Sequence, residues 1–304
     1  MSRFKVSVTD EFLDAYVNRP LAGIVVRMVE RTNITPNQLT LMSGAFGTTA
    51  AACLLLPNAF APIVVAVSLL LCMVLDCSDG QLARLRGGGS VIGRLVDGYV
   101  DYWVSTALHL ALLVALARSG VVFFGHTFDG LQRFLLVAAA GASMGINSGR
   151  FDYYKQRYLA HTGQKREPET PEMYSDEATR DHWFTTKIGL RMFAWYVRMQ
   201  QGPAFHEAVR QARFTAADPE RVSRFEQENG LLVRLWGLTG PTMHNGALAA
   251  FACLAPFVPQ AFAWYCVFAI VGVNVYCFIL HFFQSRVLRR ERILASASDS
   301  GAHA

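Results

Sequence analysis

Apolar residues fill long stretches of this chain without the regularly spaced polar positions that mark a soluble helix. Six of these stretches approach or exceed the roughly 20 residues that a helix needs to cross a bilayer. They predict membrane spans at residues 38–56, 60–82, 95–117, 131–149, 241–258 and 260–283. The pattern therefore predicts an all-α integral membrane protein with six transmembrane helices.

The segment before the first span has a different pattern. In residues 8–31, apolar positions alternate with Asp, Glu and Arg, as is typical of a helix that lies in the membrane interface. Thr35 and Pro36 then predict a helix start, with Thr35 as the cap and Pro36 in the first turn. We therefore expect an N-terminal interfacial amphipathic helix ahead of the first transmembrane helix.

A polar insert separates the fourth and fifth spans. Residues 164–179 are rich in Glu and Pro and predict a loop, whereas residues 187–199 predict a basic amphipathic helix. Asp218 and Pro219 predict the start of a further helix that runs to about Trp236. The expected organisation is an N-terminal interfacial part at 1–37, transmembrane helices 1–4 at 38–160, a cytoplasmic insert at 161–236, transmembrane helices 5–6 at 237–290, and a flexible tail at 291–304.

Basic residues are distributed unevenly around the predicted spans. Of the 28 Lys and Arg residues, only Arg118 and Arg133 fall in loops on one side, and the other 26 fall on the opposite side. Because basic residues favour the cytoplasmic side, both termini and the insert should be cytoplasmic. The net charge of +5 then reflects this bias and an attraction to the lipid bilayer. No motif for binding nucleic acid is present, so we expect no nucleic-acid partner.

Four aspartates occur at helical spacing at the ends of the second and third spans. One face carries Asp76, Asp79, Gly80 and Ala83, and the face of the next helix carries Gly93, Asp97 and Asp101. Carboxylates that face each other in apolar surroundings repel and need a counter-charge. Ligands that are all oxygen favour a pair of divalent cations, Mg²⁺, Mn²⁺ or Ca²⁺, over zinc.

The pattern D-x2-D-G-x2-A-R-x8-G-x3-D-x3-D over residues 76–101 resembles the signature of the CDP-alcohol phosphotransferase family, and every defined position matches. The sequence TPNxxT at residues 35–40 is also similar to the family's N-terminal motif, although a helix start explains it equally well. The resemblance implies a phosphatidyltransferase of phospholipid biosynthesis, which transfers a phosphoryl-linked alcohol from a CDP-alcohol to a second alcohol and releases CMP. It further implies CDP-diacylglycerol as the donor, two Mg²⁺ or Mn²⁺ ions, a homodimer, and an active site at the cytoplasmic face of a plasma or prokaryotic inner membrane.

The resemblance also implies roles for individual residues. Asp76, Asp79 and Asp97 would bind metal, and Asp101 would be both metal-associated and the general base. The CDP-alcohol would be bound by Asn37, Thr40, Gly80, Ala83, Arg84 and Gly93. Arg150 at the end of the fourth span and His244 at the start of the fifth are candidates for binding the acceptor or its phosphate. An arginine that reaches for the membrane surface explains Arg150 equally well.

A membrane cation or proton transporter is the alternative function, because intramembrane carboxylates often line ion pathways. The inverted repeat or broken helices often seen in transporters are not visible in this sequence. Salt bridges to neighbouring arginines would leave the glycine and alanine positions of the motif unexplained. The acceptor alcohol stays open, because glycerol phosphate, inositol phosphate, serine, choline-type alcohols and ether-lipid substrates all fit the motif.

Overall fold

The computed structural model describes residues 7–56, 60–123, 125–163, 171–180, 184–200 and 218–301, which are almost entirely helical. A π-helical segment at Asp14–Asn18 leads into the first α-helix, and another at Phe268–Gly272 joins α10 to α11. The helices are α1 Arg19–Val29, α2 Pro36–Leu54, α3 Ala61–Leu85, α4 Val91–Ser119, α5 Gly130–His161, α6 Pro171–Arg180, α7 Phe184–Gln200, α8 Pro219–Trp236, α9 Pro241–Leu254, α10 Ala261–Val267 and α11 Val273–Gly301. Strands β1 Val122–Phe123 and β2 His126–Thr127 form an antiparallel hairpin between α4 and α5.

Three helical stretches of the described chain are long and apolar enough to cross a membrane: α3, α4 and Ala261–Arg290. They coincide with the predicted spans at 60–82, 95–117 and 260–283. The other three predicted spans fall on α2, α5 and α9, so the count of six spans stays a prediction. The position of α1 in the membrane interface also stays a prediction. The helical fold class itself is confirmed.

Close packing of α2 against α4 depends on two glycines. A Cβ atom at Gly47 would lie 2.5 Å from a methyl group of Val104, and one at Gly44 would lie 2.9 Å from a methyl group of Val100. Side chains at these positions would push the two helices apart. The glycines therefore hold α2 close to the helix that carries Asp97 and Asp101.

Capping side chains set where the helices around the site begin. Thr35 accepts a hydrogen bond from the Gln38 backbone at 3.3 Å, and the Gln38 side chain accepts one from the Thr35 backbone at 2.8 Å. This reciprocal pair is a capping box, and it starts α2 where the sequence predicts. Ser90 caps α4 by accepting from the Gly93 backbone at 2.9 Å. Both caps lie within two turns of predicted site residues.

The insert contains a helix where the sequence predicts a loop. Residues 164–170 lie outside the described residues, but α6 occupies the rest of the predicted loop. Pro171 at the first helical position costs no hydrogen bond, and Tyr174 and Ala178, one turn apart, are fully buried against α7. The loop prediction is wrong for this part, because the composition of α6 gives no sign of its contact with α7. The helix expected at 187–199 and the Asp218 cap of α8 are both present.

Candidate active site

The structure brings together three of the four predicted carboxylates. Carboxylate oxygens of Asp76 on α3 and of Asp97 and Asp101 on α4 all lie within 4.8 Å of one another. The chain reverses between the two helices at Gly87 and Gly88, whose φ angles of +100° and +116° are rarely adopted by residues with side chains. The turn therefore lets the acidic faces of successive helices meet.

The fourth carboxylate, Asp79, lies one turn beyond Asp76 and has a different partner. It is buried on α3 and accepts a hydrogen bond from the hydroxyl group of Thr40 on α2. The same hydroxyl group lies 3.2 Å from the carbonyl oxygen of Pro36. Thr40 thus joins the predicted N-terminal motif to the acidic helix, and Asp79 lies beside the three-carboxylate group.

These carboxylates suit a divalent cation. One oxygen of Asp97, Oδ1, is buried without a hydrogen-bond partner, which is costly for a carboxylate. Within the part of the chain that the structure describes, Asp76, Asp97 and Asp101 form no ion pair with a basic side chain. A bound cation would satisfy both the charge and the unpaired oxygen, and hard cations prefer such oxygen ligands. Asp76, Asp97 and Asp101 are the residues that would hold it.

Small residues leave space beside polar groups at the edge of this cluster. A Cβ atom at Gly93 would lie 3.2 Å from Oδ1 of Asn37, so α2 and α4 approach closely there. On α3, a Cβ atom at Gly80 would lie 3.4 Å from the Arg84 guanidinium group. Ala83 is half-buried on the same helix. The residues predicted to bind the CDP-alcohol therefore lie on the three helices that carry or contact the aspartates.

Arg150 does not belong to the three-carboxylate group and lines a separate cavity between α5 and α11. The cavity has a volume of about 370 Å³ and is lined by Ile146, Gly149, Arg150, Tyr153, Tyr154 and His281. Guanidinium, phenol and imidazole groups all donate hydrogen bonds, so the cavity suits an anionic ligand with hydroxyl groups. The other polar residues that line the cavity were not predicted from the sequence. The tyrosines follow Arg150 at helical spacing, which was an available signal, but His281 is brought in only by the tertiary structure.

A buried amide network holds the Arg150 side chain. Arg150 donates to Oδ1 of Asn147 at 3.1 Å, and Asn147 is fully buried. The Asn147 amide donates in turn to Ser143 and to Asn274 of α11, each at 3.2 Å. Ser143 donates to the Ala269 carbonyl oxygen at 2.7 Å, in the π-helical segment before α11. The network therefore connects the cavity arginine to the membrane-spanning part of α10–α11.

His244 is buried inside α9, and neither ring nitrogen has a hydrogen-bond partner among the described residues. It belongs neither to the residues that line the Arg150 cavity nor to the three-carboxylate group. Its predicted role in binding the acceptor stays a prediction.

A further carboxylate, Asp14, approaches the acidic helix from the N-terminal segment. Its Oδ1 atom lies 3.5 Å from the Cys77 sulfur and accepts from the Asn18 amide at 2.8 Å. Its Oδ2 atom accepts from the Thr242 hydroxyl group at 3.2 Å. Asp14 was not predicted from the sequence, because it is only one of several polar positions in the amphipathic pattern. The contacts show that the N-terminal segment packs beside Asp76.

Glu11 anchors the same segment to α9. It is 6% exposed and accepts a hydrogen bond from the Met243 backbone at 3.0 Å, in the first turn of α9. Burial, with a smaller contribution from the neighbouring charge of Asp14, raises the pKa of Glu11 from 4.5 to about 8. Glu11 is therefore protonated in the folded protein around neutral pH.

Fold and site together define a helical membrane protein with a carboxylate group suited to divalent cations. Residues 33–164 match the family model described as CDP-alcohol phosphatidyltransferase. The matched segment runs from just before α2 to the end of α5 and includes all four aspartates. The resemblance inferred from the motif is confirmed.

A curated relative supports the same assignment. The phosphatidylinositol phosphate synthase of Corynebacterium glutamicum is 32% identical over 132 residues, which cover 35% of this chain. The match spans 59% of the length of that synthase. The insert and the helices after residue 164 lie outside the family model.

Proposed function

We propose that this protein is a metal-dependent CDP-alcohol phosphotransferase of phospholipid biosynthesis. It transfers the phosphatidyl group of CDP-diacylglycerol to a second alcohol and releases CMP. The observation that carries this proposal is the meeting of Asp76, Asp97 and Asp101 within the segment that matches the family. We propose Mg²⁺ or Mn²⁺ as the cofactor, with two ions by analogy to the family, because the ligand set consists of carboxylate oxygens.

The positions of the side chains support a division of roles in the reaction. When bound, divalent cations neutralise pyrophosphate charge and polarise the phosphorus–oxygen bonds. Asp101 is the most exposed of the three residues, and its proposed role is to take the proton of the acceptor hydroxyl group. The acceptor oxygen then bonds to the phosphorus that bears the diacylglycerol, and the bond from this phosphorus to the oxygen of CMP breaks. Arg84, beside Gly80, is placed to bind a phosphate of the nucleotide.

The acceptor is proposed to be a phosphorylated alcohol. The name of the curated relative points to a phosphorylated inositol as the first candidate. The cavity that contains Arg150 and His281 supports this class, because a guanidinium and an imidazole group can both bind phosphate. The amide network behind Arg150 would hold the guanidinium group in one orientation.

The membrane arrangement is part of the proposal. Six spans, the interfacial N-terminal helix, a homodimer and an active site at the cytoplasmic face follow from the apolar pattern, the family resemblance and the positions of 26 of the 28 basic residues. A cation or proton transporter is not favoured, because the matching family model is that of a transferase.

The test is CMP release by the purified full-length protein with CDP-diacylglycerol and a panel of inositol phosphate, glycerol phosphate, inositol and serine. We expect release that requires Mg²⁺ or Mn²⁺, stops with excess EDTA, and is fastest with a phosphorylated acceptor. Asp76→Asn should abolish it, while Asp176→Asn on the exposed side of α6 should not. Full activity in excess EDTA, or no CMP release with any acceptor, would refute the proposal.

A further inference from the structure

One face of α7 exposes large apolar side chains. Ile188, Met192 and Trp195 are 42%, 59% and 63% exposed. They recur at i, i+4 and i+7, which places them on one stripe of the helix. A stripe of this kind on a polar insert is unfavourable in water and marks a surface that contacts something apolar.

The contacts of α7 with α4 indicate how α7 is oriented. A Cβ atom at Gly189 would lie 3.2 Å from the hydroxyl oxygen of Tyr99 and 3.6 Å from a methyl group of Leu95, and one at Gly98 would lie 2.9 Å from the ring of Phe193. Gly189 and Phe193 are a full turn apart on α7, yet both meet the same turn of α4. The two helices therefore cross at one point, and α7 does not run alongside α4.

The level of this crossing follows from the length of α4. The helix ends at Ser119, and about 20 residues are needed to cross the hydrocarbon core. Counted back from Ser119, this length ends close to Tyr99. Because α4 crosses the bilayer and α7 crosses α4 near Tyr99, α7 lies at the level of the lipid headgroups, roughly in the membrane plane.

The partners of α7 show which side faces the lipid. Leu190 and Ala194 are buried against Tyr174 of α6. At about 100° per residue, they lie roughly opposite the stripe of Ile188, Met192 and Trp195. Since α6 is rich in charged and polar residues, it belongs on the water side of α7. The exposed stripe therefore faces the bilayer.

Basic residues occupy the remaining flank. Lys187, Arg191 and Arg198 lie together on the side of α7 opposite its contact with α4. Arg191 and Arg198 are exposed, and Arg198 lies 3.8 Å from a Glu172 oxygen. At headgroup level, such side chains can meet anionic lipid phosphates, while their apolar stems stay near the hydrocarbon.

We propose that α7 is a membrane-anchoring helix that binds the surface of an anionic bilayer. Ile188, Met192 and Trp195 insert into the interface, and Lys187 and Arg191 bind anionic headgroups. This anchor fixes the insert against the turn of α4 that includes Asp97.

Trp195 provides a direct test in the full-length protein reconstituted into phosphatidylcholine nanodiscs that contain phosphatidylglycerol. The emission of Trp195 is the difference between wild type and Trp195→Phe. Brominated lipid chains should quench most of the Trp195 emission. Trp103, a residue of the span α4, is the positive control, and its emission is obtained in the same way from Trp103→Phe. Two results would overturn the proposal. Quenching of the Trp195 emission by aqueous iodide and not by brominated lipid would place the stripe in water, and quenching by neither agent would place it under protein.

The lipid preference has its own test. In the double variant Lys187→Gln and Arg191→Gln, quenching by brominated phosphatidylglycerol should fall relative to wild type, while quenching in pure phosphatidylcholine should not change. An equal effect in both lipids would refute recognition of anionic headgroups. CMP release by the same samples reports separately on the proposed function, so failure of the anchor and failure of the enzyme assignment are distinguishable.

Discussion

At the scale of single residues, Asp76 and Asp101 both belong to the three-carboxylate group, but their environments differ. Asp76 lies half-buried on α3, beside a segment that also brings Asp14 close, whereas Asp101 is exposed. A buried carboxylate that cannot be hydrated benefits most from a bound cation, and an exposed one can reach a substrate hydroxyl group. This difference in exposure is the basis of the proposed division between metal ligand and general base.

The aspartates are tested by exchange to asparagine, which keeps size but removes charge. Asp101→Asn should keep affinity for the CDP-alcohol while turnover falls by roughly 10²–10⁴-fold, the usual contribution of a general base. Asp76→Asn and Asp97→Asn should instead weaken metal and nucleotide binding. Nucleotide affinity and single-turnover rates at saturating Mg²⁺ measure the two effects. If Asp101→Asn loses affinity as severely as Asp76→Asn, with no separate effect on turnover, Asp101 is a metal ligand and not the base.

Asn147 offers a second test at this scale. Asn147→Ala removes the acceptor of the Arg150 hydrogen bond, and a hydrogen bond to a charged group contributes about 1.5–3 kcal/mol. We expect the KM of the phosphorylated acceptor to rise by roughly tenfold or more, with the KM of the CDP-alcohol unchanged. Ser143→Ala, which alters only the far side of the network, should have a smaller effect. Equal changes in both KM values would indicate general loss of structure and not a positioning role.

At the scale of elements, the close approach of α2 to α4, the helix that carries Asp97 and Asp101, depends on Gly47. Gly47→Ala would place a methyl group 2.5 Å from Val104, and overpacking of this kind costs about 1–3 kcal/mol. A Cβ atom at Gly145 on α5 would meet nothing within 4 Å, so Gly145→Ala is the matched control. Thermal unfolding in detergent should show a lower Tm for Gly47→Ala and an equal or higher Tm for Gly145→Ala. Similar Tm values for the two variants would contradict the tight crossing.

The docking of the N-terminal segment on α9 should depend on pH through Glu11. Its pKa rises from 4.5 to about 8 on folding, so the folded state binds this proton more tightly than the unfolded state. The contribution of protonated Glu11 to the stability of the folded state is therefore complete below pH 4.5 and is lost as pH rises through about 8.

Glu11→Gln keeps an acceptor for the Met243 N–H group and cannot ionise. The Tm of the wild type, relative to that of Glu11→Gln, should fall as pH rises between these two values and then level off. Glu220→Gln, at an exposed position in the first turn of α8, is the control variant and should show no such trend. A constant difference between wild type and Glu11→Gln would show that Glu11 does not titrate in this range.

At the scale of the whole molecule, the arrangement across the membrane rests on the uneven distribution of basic residues. The β-hairpin and α6 should lie on opposite sides of the bilayer. In intact cells, a His126→Cys variant should react with an impermeant thiol reagent from outside, and a Thr179→Cys variant should react only after permeabilisation, each measured above the wild-type background. The reverse labelling pattern would invert the proposed topology.

Features that depend on local periodicity could be predicted from the amino-acid sequence. Helix faces follow from spacing, so the alignment of Asp97 with Asp101 was predictable without coordinates. Caps act within one turn, so the start of α2 at Thr35 was predictable as well. The motif at 76–101 also indicated the family, because its chemistry requires particular residue types at fixed offsets along two consecutive helices.

Which of these helix faces meet depends on tertiary contacts. Asp79 accepts a hydrogen bond from Thr40 and is not part of the three-carboxylate group. His281 of α11 and Arg150 of α5 line the same cavity. Tyr174 is buried in a helix where the composition predicts a loop. Each of these outcomes depends on contacts between residues far apart along the chain. Such contacts are selected by packing and by the need to satisfy buried polar groups, which local spacing does not encode.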